Sequence, residues 1–147
     1  LTMSEVRRLR AQTALAVSAH IEPVQVWADP ERLAQALRNL VDNAARFAEH
    51  EVLLTVATSG DFARLSVDDD GPGIPTEHRE DVLKRFTRLD GQRSRGEGGS
   101  GLGLSIASEI AHMHGGRVVV GASDLGGAQV SIVLPVAGPV DPTASSR

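Results

Sequence analysis

Three short blocks stand in a set order along this 147-residue chain, and its fold has to accommodate all of them. Asn39-Leu40-Val41-Asp42-Asn43 puts two carboxamides four residues apart within a strongly helical stretch. Asp69-Asp70-Gly71-Pro72-Gly73 sets an acidic residue before a glycine-bearing turn. Gly99-Ser100-Gly101-Leu102-Gly103-Leu104 is a glycine run that leads directly into an apolar helix. Each block alone is a common surface feature. In this order they are the parts of a nucleotide site: a carboxamide pair, a carboxylate that can read an amino group, and a loop of exposed amides.

The segments between the blocks carry clear periods. Val6, Leu9, Thr13, Ala16 and Val17 recur at helical spacing, with Arg7, Arg8 and Arg10 on other faces, which predicts a helix over 4–19. Pro23 ends that region, and Val24-Gln25-Val26-Trp27-Ala28 alternates like a short strand. Asp29-Pro30 is a helix start, a capping acid followed by proline at the first helical position. Leu33, Ala36, Leu37, Leu40, Val41 and Ala44 continue as one apolar stripe to about residue 48. Residues 52–58 and 63–67 read as a hairpin around Ser59-Gly60-Asp61-Phe62. A short helix is expected over 76–85 and a mobile, Gly- and Arg-rich loop over 87–100. A helix over 101–114 is closed by Gly115-Gly116, and a second hairpin over 117–122 and 129–134 turns at Leu125-Gly126-Gly127. This order predicts a two-layer α/β sandwich, a mixed sheet of about five strands covered on one face by about three helices.

Composition narrows the function. Hydrophobic residues make up 41% of the chain, enough for a packed core. The net charge of -4 argues against general nucleic-acid binding, although Lys84, Arg85, Arg88, Arg93 and Arg95 concentrate positive charge just before the third block. With no cysteine, disulfides and thiolate metal sites are excluded. No apolar run reaches the length of a membrane span and no signal peptide opens the chain, so membrane contact is not expected of this segment.

Asn39 and Asn43 project from one helix face. A carboxamide oxygen can bind Mg²⁺ while phosphates and waters complete the octahedron, although an isolated helical Asn is more often a solvated surface residue. Strand alternation from Leu65 and Val67 puts Asp69, rather than Asp68 or Asp70, on the inward face. A buried carboxylate there can accept from an adenine amino group; a plain Asp-Gly turn is the plainer reading. Gly99, Gly101 and Gly103 expose amides at a helix N-terminus, where the helix dipole favours phosphate. In the basic cluster Arg88 is the first candidate for a phosphate contact. Arg46 and Phe47, one turn beyond Asn43, offer a charge and an aromatic wall, and Phe86 can pack under the loop or in the core. His20, His50, His78, His112 and His114 show no metal-ligand spacing, and none has a catalytic setting.

These blocks resemble the ATP-binding catalytic domain of bacterial sensor histidine kinases, within the GHKL superfamily. The stretch from Asp29-Pro30 through Asn39–Phe47 is similar to the N box, and Asp69–Pro75 to the G1 box. Lys84-Arg85-Phe86-Thr87-Arg88 resembles the F box and Gly99–Leu104 the G2 box, over residues 24–136 in all. The resemblance implies the Bergerat fold, ATP as substrate, Mg²⁺ bound through Asn43, adenine read by Asp69 and an ATP lid over 87–100. It implies catalytic roles for Asn39 and Arg88. It implies nucleotide contacts from Arg46, Phe47, Gly71, Gly73, Ile74, Phe86, Gly99, Ser100, Gly101, Leu102, Gly103 and Leu104, together with Asn39, Asn43, Asp69 and Arg88.

The same resemblance implies γ-phosphate transfer to a histidine on a dimerisation domain, and from there to the aspartate of a response regulator. The whole protein would be a homodimeric inner-membrane sensor with this part in the cytoplasm. Hydrolysing relatives carry Glu where Asn39 stands; an amide cannot act as general base at neutral pH, which favours phosphotransfer. No acceptor-histidine motif occurs, and His20-Ile21-Glu22-Pro23 is not a convincing substitute. The expected organisation is therefore 1–22 as a linker or the end of a dimerisation helix, 23–136 as the ATP-binding domain, and 137–147 as a disordered tail. The alternatives are a nucleotide-binding interaction module without catalysis and a GHKL-type ATPase.

Overall fold

The computed structural model describes residues 1–84 and 103–136. In chain order these form helix α1 (Thr2–Gln12), strand β1 (Ala16–Ile21), helix α2 (Pro30–Phe47) and strands β2 (Glu51–Ser59) and β3 (Phe62–Asp69). Two 3-10 turns (Thr76–His78 and Asp81–Leu83), helix α3 (Gly103–Met113) and strands β4 (Arg117–Ala122) and β5 (Ala128–Pro135) follow. The five strands make one mixed sheet in the order β1-β2-β3-β5-β4, with β1 parallel to β2 and every other pair antiparallel.

Helix α2 is the centre of the helical layer. The Asp29 carboxylate accepts from the amides of Glu31 and Arg32, and Pro30, lacking an N–H, leaves no donor in need of an acceptor at the first turn. Leu33, Ala36, Leu37, Leu40, Val41 and Ala44 are all buried, as their spacing requires. They meet Val52, Leu54 and Val56 of β2, Leu65 and Val67 of β3, Val130, Ile132 and Leu134 of β5, and Ile110 and Ala111 of α3 in one core. Helix α3 closes at Gly115 (φ +81), and the Gly116 amide returns to Ala111 O; a Cβ on Gly116 would strike the Val133 carbonyl. His114 does more than end the helix. Its Nδ1 donates to Ile110 O at 2.7 Å and its Nε2 accepts from the Asp29 amide at 3.1 Å, joining the end of α3 to the start of α2.

Three local expectations are corrected. The helix expected over 4–19 stops at Gln12, and Ala16–Ile21 is the edge strand of the sheet. Thr13 adopts an extended conformation, its hydroxyl donates to Leu9 O, and the amide of Leu15 donates to that hydroxyl, so the chain leaves the helix there. Residues 24–28 make only a single bridge, Val26 to Val136. The edge position is already held by β1, the pairing runs on to Glu22 N with Val56 O, and Pro23 has no amide to extend it. The helix expected over 76–85 is instead two 3-10 turns, and the Arg79 guanidinium folds back onto Ile74 O.

Residues 1–22, read from sequence as a linker or a neighbouring helix end, pack on the same core as the rest. Val6 and Leu9 are buried in it, and the Arg10 guanidinium holds Val17 O with bonds of 3.1 and 2.7 Å. The expected loop over 87–100 and tail over 137–147 lie outside the described residues. No helix among the described residues is long and apolar enough to cross a membrane.

The turn from α2 into β2 is held by one side chain. The Asp70 carboxylate accepts from the amides of Glu49, His50 and Glu51 at 2.8, 3.0 and 3.2 Å. The His50 amide above all, then those of Glu49 and Glu51, pull its carboxyl down from 3.8 to about 2 against an opposing effect of burial.

Two predictions follow from this packing. Leu37 is 1% exposed, and Leu37→Ala is expected to lower unfolding stability by about 2–5 kcal/mol in urea titration. The folded-state pKa of Asp70 is depressed, so its stabilisation is complete above its ordinary value of 3.8 and fades as pH falls toward about 2. Asp70→Asn should lower stability at neutral pH and flatten the acid-unfolding curve over that window, as followed by circular dichroism.

Candidate nucleotide site

Of the three blocks, Asn39–Asn43, Asp69–Gly73 and, from the third, Gly103 and Leu104 are among the described residues. Asp69 ends β3 with 2% of its surface exposed. Its Oδ1 accepts from the amides of Gly71 at 2.9 Å and Ala128 at 3.2 Å, and its main-chain oxygen accepts from the Gly127 amide at 3.1 Å. Oδ2 takes no hydrogen bond from the described residues. Burial pushes the Asp69 carboxyl above its ordinary value; the two amides oppose this, and the charges of Asp70 and Asp68 add to it. A buried carboxylate with one oxygen fixed and the other open is an acceptor aimed at a single donor.

Alternation separates the three adjacent aspartates by task. Asp69 points to the helical side. Asp68 also is buried, with 5% exposed, but its carboxylate accepts from Ser123 and Gln129. Asp70 caps the α2–β2 turn as described. Of the three, Asp69 alone faces the helical layer, on the same side of β3 as Leu65 and Val67.

The glycines allow backbone to meet backbone. A Cβ on Gly71 would strike the Phe47 carbonyl at the end of α2. Gly73 has φ +79 and lies against Gly127, where an added Cβ would sit 3.5 Å from its carbonyl. A Cβ on Gly127 would collide with the Asp69 carboxylate and main-chain oxygen. The G1 block, the C-terminal end of α2 and the β4–β5 turn therefore pack with no side chain between them.

In the helical layer, the Asn39 Nδ2 donates to Gly103 O at 3.1 Å, tying the first turn of α3 to α2. Asn43 lies one turn further along the same face of α2, half-buried. The Arg46 guanidinium stacks 5.5 Å from the centre of the Phe47 ring. The Leu104 side chain is buried in the core, so any part it takes at a ligand is through its main chain. Ile74 is half-buried, with its carbonyl engaged by Arg79. Phe86, Arg88, Gly99, Ser100, Gly101 and Leu102 lie outside the described residues.

Sequence reasoning missed Gly127, Ala128 and Ser123. Leu125-Gly126-Gly127 reads as an ordinary hairpin turn until β5 is known to pair with β3, a neighbour distant in the chain. The available signal was the second glycine: Gly126 (φ +109) satisfies the turn, and Gly127 is then unexplained.

The family described as "Histidine kinase-, DNA gyrase B-, and HSP90-like ATPase" matches residues 28–138. The sensor protein kinase CarS of Pseudomonas aeruginosa is 52% identical over 108 residues, covering 74% of this chain and 23% of that protein. Among solved structures, the mycobacterial sensor histidine kinase MprB superposes with a TM-score of 0.77 at 34% identity, over 92% of this chain and 91% of that one. Full-length ShkA in complex with AMPPNP gives 0.76 at 27% identity, over 97% of this chain and 31% of that one. The chain thus spans about a quarter of the curated relative's length. It belongs to the histidine kinase-, DNA gyrase B- and HSP90-like ATPase family.

Proposed function

We propose that this domain binds Mg-ATP and donates the γ-phosphate to a histidine of a sensor histidine kinase's dimerisation domain, for relay to a response-regulator aspartate. The observation that carries the reading is Asp69, whose pinned Oδ1 leaves Oδ2 as a one-directional acceptor suited to the adenine amino group. The likeness to CarS and MprB, both named as sensor kinases, and to a nucleotide-bound ShkA supports it.

Asn43 would hold the magnesium. Among the described residues no group of three or more His, Cys, Asp or Glu side chains is gathered for a metal. A single carboxamide oxygen fits a cation that keeps waters and takes its other ligands from phosphate. When bound, Mg²⁺ would neutralise the triphosphate charge. Asn39 would fix the start of α3 beside the phosphates, and Arg88 would contribute positive charge. The imidazole nitrogen lone pair forms the new bond to γ-phosphorus as the bond to the β,γ-bridging oxygen breaks, and ADP leaves with that electron pair. The ring keeps the proton on its other nitrogen during the attack and releases it to solvent afterwards, so this domain need supply no base.

On this reading the segment is the cytoplasmic part of an inner-membrane sensor that works as a homodimer. Its partners are the phosphoacceptor domain and the response regulator. A nucleotide-binding module without catalysis would share the pocket, and a GHKL ATPase would turn ATP over alone.

Mixing the domain with a separate acceptor domain and γ-labelled ATP should give acid-labile, base-stable label on histidine. Nucleotide binding without label would sink the kinase reading, and steady hydrolysis lost on changing Asn39 would replace it with the ATPase.

Asp69→Asn tests the base contact. The two amides require an oxygen at the Oδ1 position, so the new NH₂ must occupy the Oδ2 position and face the adenine amino group donor to donor. ATP-analogue affinity should fall about 5- to 150-fold, about 1–3 kcal/mol, by calorimetry. Stability should not fall, because a carboxyl whose folded pKa is raised opposes folding when ionised. In the unaltered protein affinity should decline as pH drops through the raised Asp69 pKa and the acceptor becomes protonated. Undiminished binding by Asp69→Asn would remove Asp69 from the site.

A further inference from the structure

Ser123 stands just beyond β4, at the start of the turn that leads to Gly127 and Ala128. Its hydroxyl donates to the buried Asp68 carboxylate at 2.6 Å. The same residue organises the β4–β5 turn. Its amide donates to Gly127 O at 2.8 Å, its carbonyl accepts from Gly126 N at 3.0 Å, and its Oγ accepts from Leu125 N at 3.0 Å. The bonds inside the turn are those of any hairpin containing serine. The bond to Asp68 is different, because it ties the turn to the strand that carries Asp69.

That turn ends at Gly127 and Ala128, the residues whose amides hold the main-chain oxygen and Oδ1 of Asp69. A closed circuit results: Asp68 holds Ser123, Ser123 holds the turn, the turn holds Asp69, and Asp69 follows Asp68 in β3. The Gln129 side chain adds a second, longer tie to Asp68 at 3.2 Å. Asp68 and Asp69 face opposite sides of the strand, so the circuit grips β3 from both sides.

We propose that Ser123 is a positioning residue for base specificity: by latching the β4–β5 turn to Asp68 it fixes the Asp69 carboxylate as a one-directional acceptor. This rests on the reading of Asp69 as the adenine acceptor. Adenine offers an amino donor to Oδ2, whereas guanine presents a carbonyl oxygen at the equivalent position, so two acceptors would face each other. With the latch released, Oδ1 loses a firm bond from Ala128, the carboxylate can swing, and discrimination weakens more than affinity for the phosphates does.

The test compares Mg-ADP and Mg-GDP binding by the unaltered chain, Ser123→Ala and Ser123→Thr, using competition calorimetry. Ser123→Ala should weaken ADP about three- to ten-fold, the range of one hydrogen bond, and leave GDP unchanged; Ser123→Thr keeps the hydroxyl and should restore the ratio. A second measurement needs no nucleotide. Carbon-13 NMR titration of the Asp69 carboxyl should move upward in Ser123→Ala, since an amide donor that stabilises its charged form is loosened; the charged groups acting on it, Asp70 and Asp68, are retained. No ADP binding by the unaltered protein would overturn the adenine reading and this proposal with it. If the unaltered protein binds ADP, equal ADP affinity in Ser123→Ala with an unmoved Asp69 titration overturns the role of Ser123 alone. So does an equal loss for ADP and GDP.

Discussion

A carboxylate taken out of water is destabilised unless donors replace the solvent it loses. Asp69, 2% exposed, has two such donors on Oδ1, and its carboxyl is still pushed above the ordinary value by burial. Bringing those donors within reach places demands on residues distant in sequence. Gly71 must be bare to lie on the Phe47 carbonyl, and Gly127 must be bare to lie on Asp69 itself. The end of α2, the loop after β3 and the turn before β5 thus converge on one buried group. A side chain at either glycine would separate backbone segments that now touch.

The helical layer supplies the other half of the arrangement. Helix α2 is fixed along its length: at its start by Asp29 and His114, along its inner face by the apolar stripe, and at its end through the Asp70 cap on the following turn. Helix α1 braces its outer flank, where Arg8 bridges the buried Glu5 and the exposed Asp42, each at 2.7 Å. The half of that network open to solvent contributes little energy. Its effect is to tie α1 to α2.

Elements with one dominant local period were legible in the sequence. The α2 stripe, its Asp-Pro start and both antiparallel hairpins needed no distant information, and strand alternation alone put Asp69 on the inward face of β3. The N-terminal region was not legible, because Val6, Leu9, Ala16 and Val17 fit a helical period and a helix-then-strand equally well. The free edge of β2 decides between them, and that edge exists only in the folded sheet. The wall made by Ser123, Gly127 and Ala128 was hidden for the same reason: β3 and β5 are neighbours in space with more than fifty residues between them. Local chemistry reveals which residues can act, whereas their partners depend on strand order.

Asn39 joins two helices at a position to which the proposed function also gives a chemical role. Its Nδ2 donates to Gly103 O at 3.1 Å, so the position needs a hydrogen-bond donor facing the first turn of α3. A carboxylate there would confront the carbonyl oxygen with no proton between them, and would have to turn away or force the helices apart. The group that would make this site a base for activating water is thus the one that its helix packing disfavours. Under the proposed function, a site that holds phosphates but cannot deprotonate water favours an acceptor that arrives with its lone pair free. A neutral imidazole meets that condition, whereas water, which must lose a proton as it attacks, does so poorly. On that proposal, the side chain that aligns α2 with α3 would also favour transfer to histidine over hydrolysis.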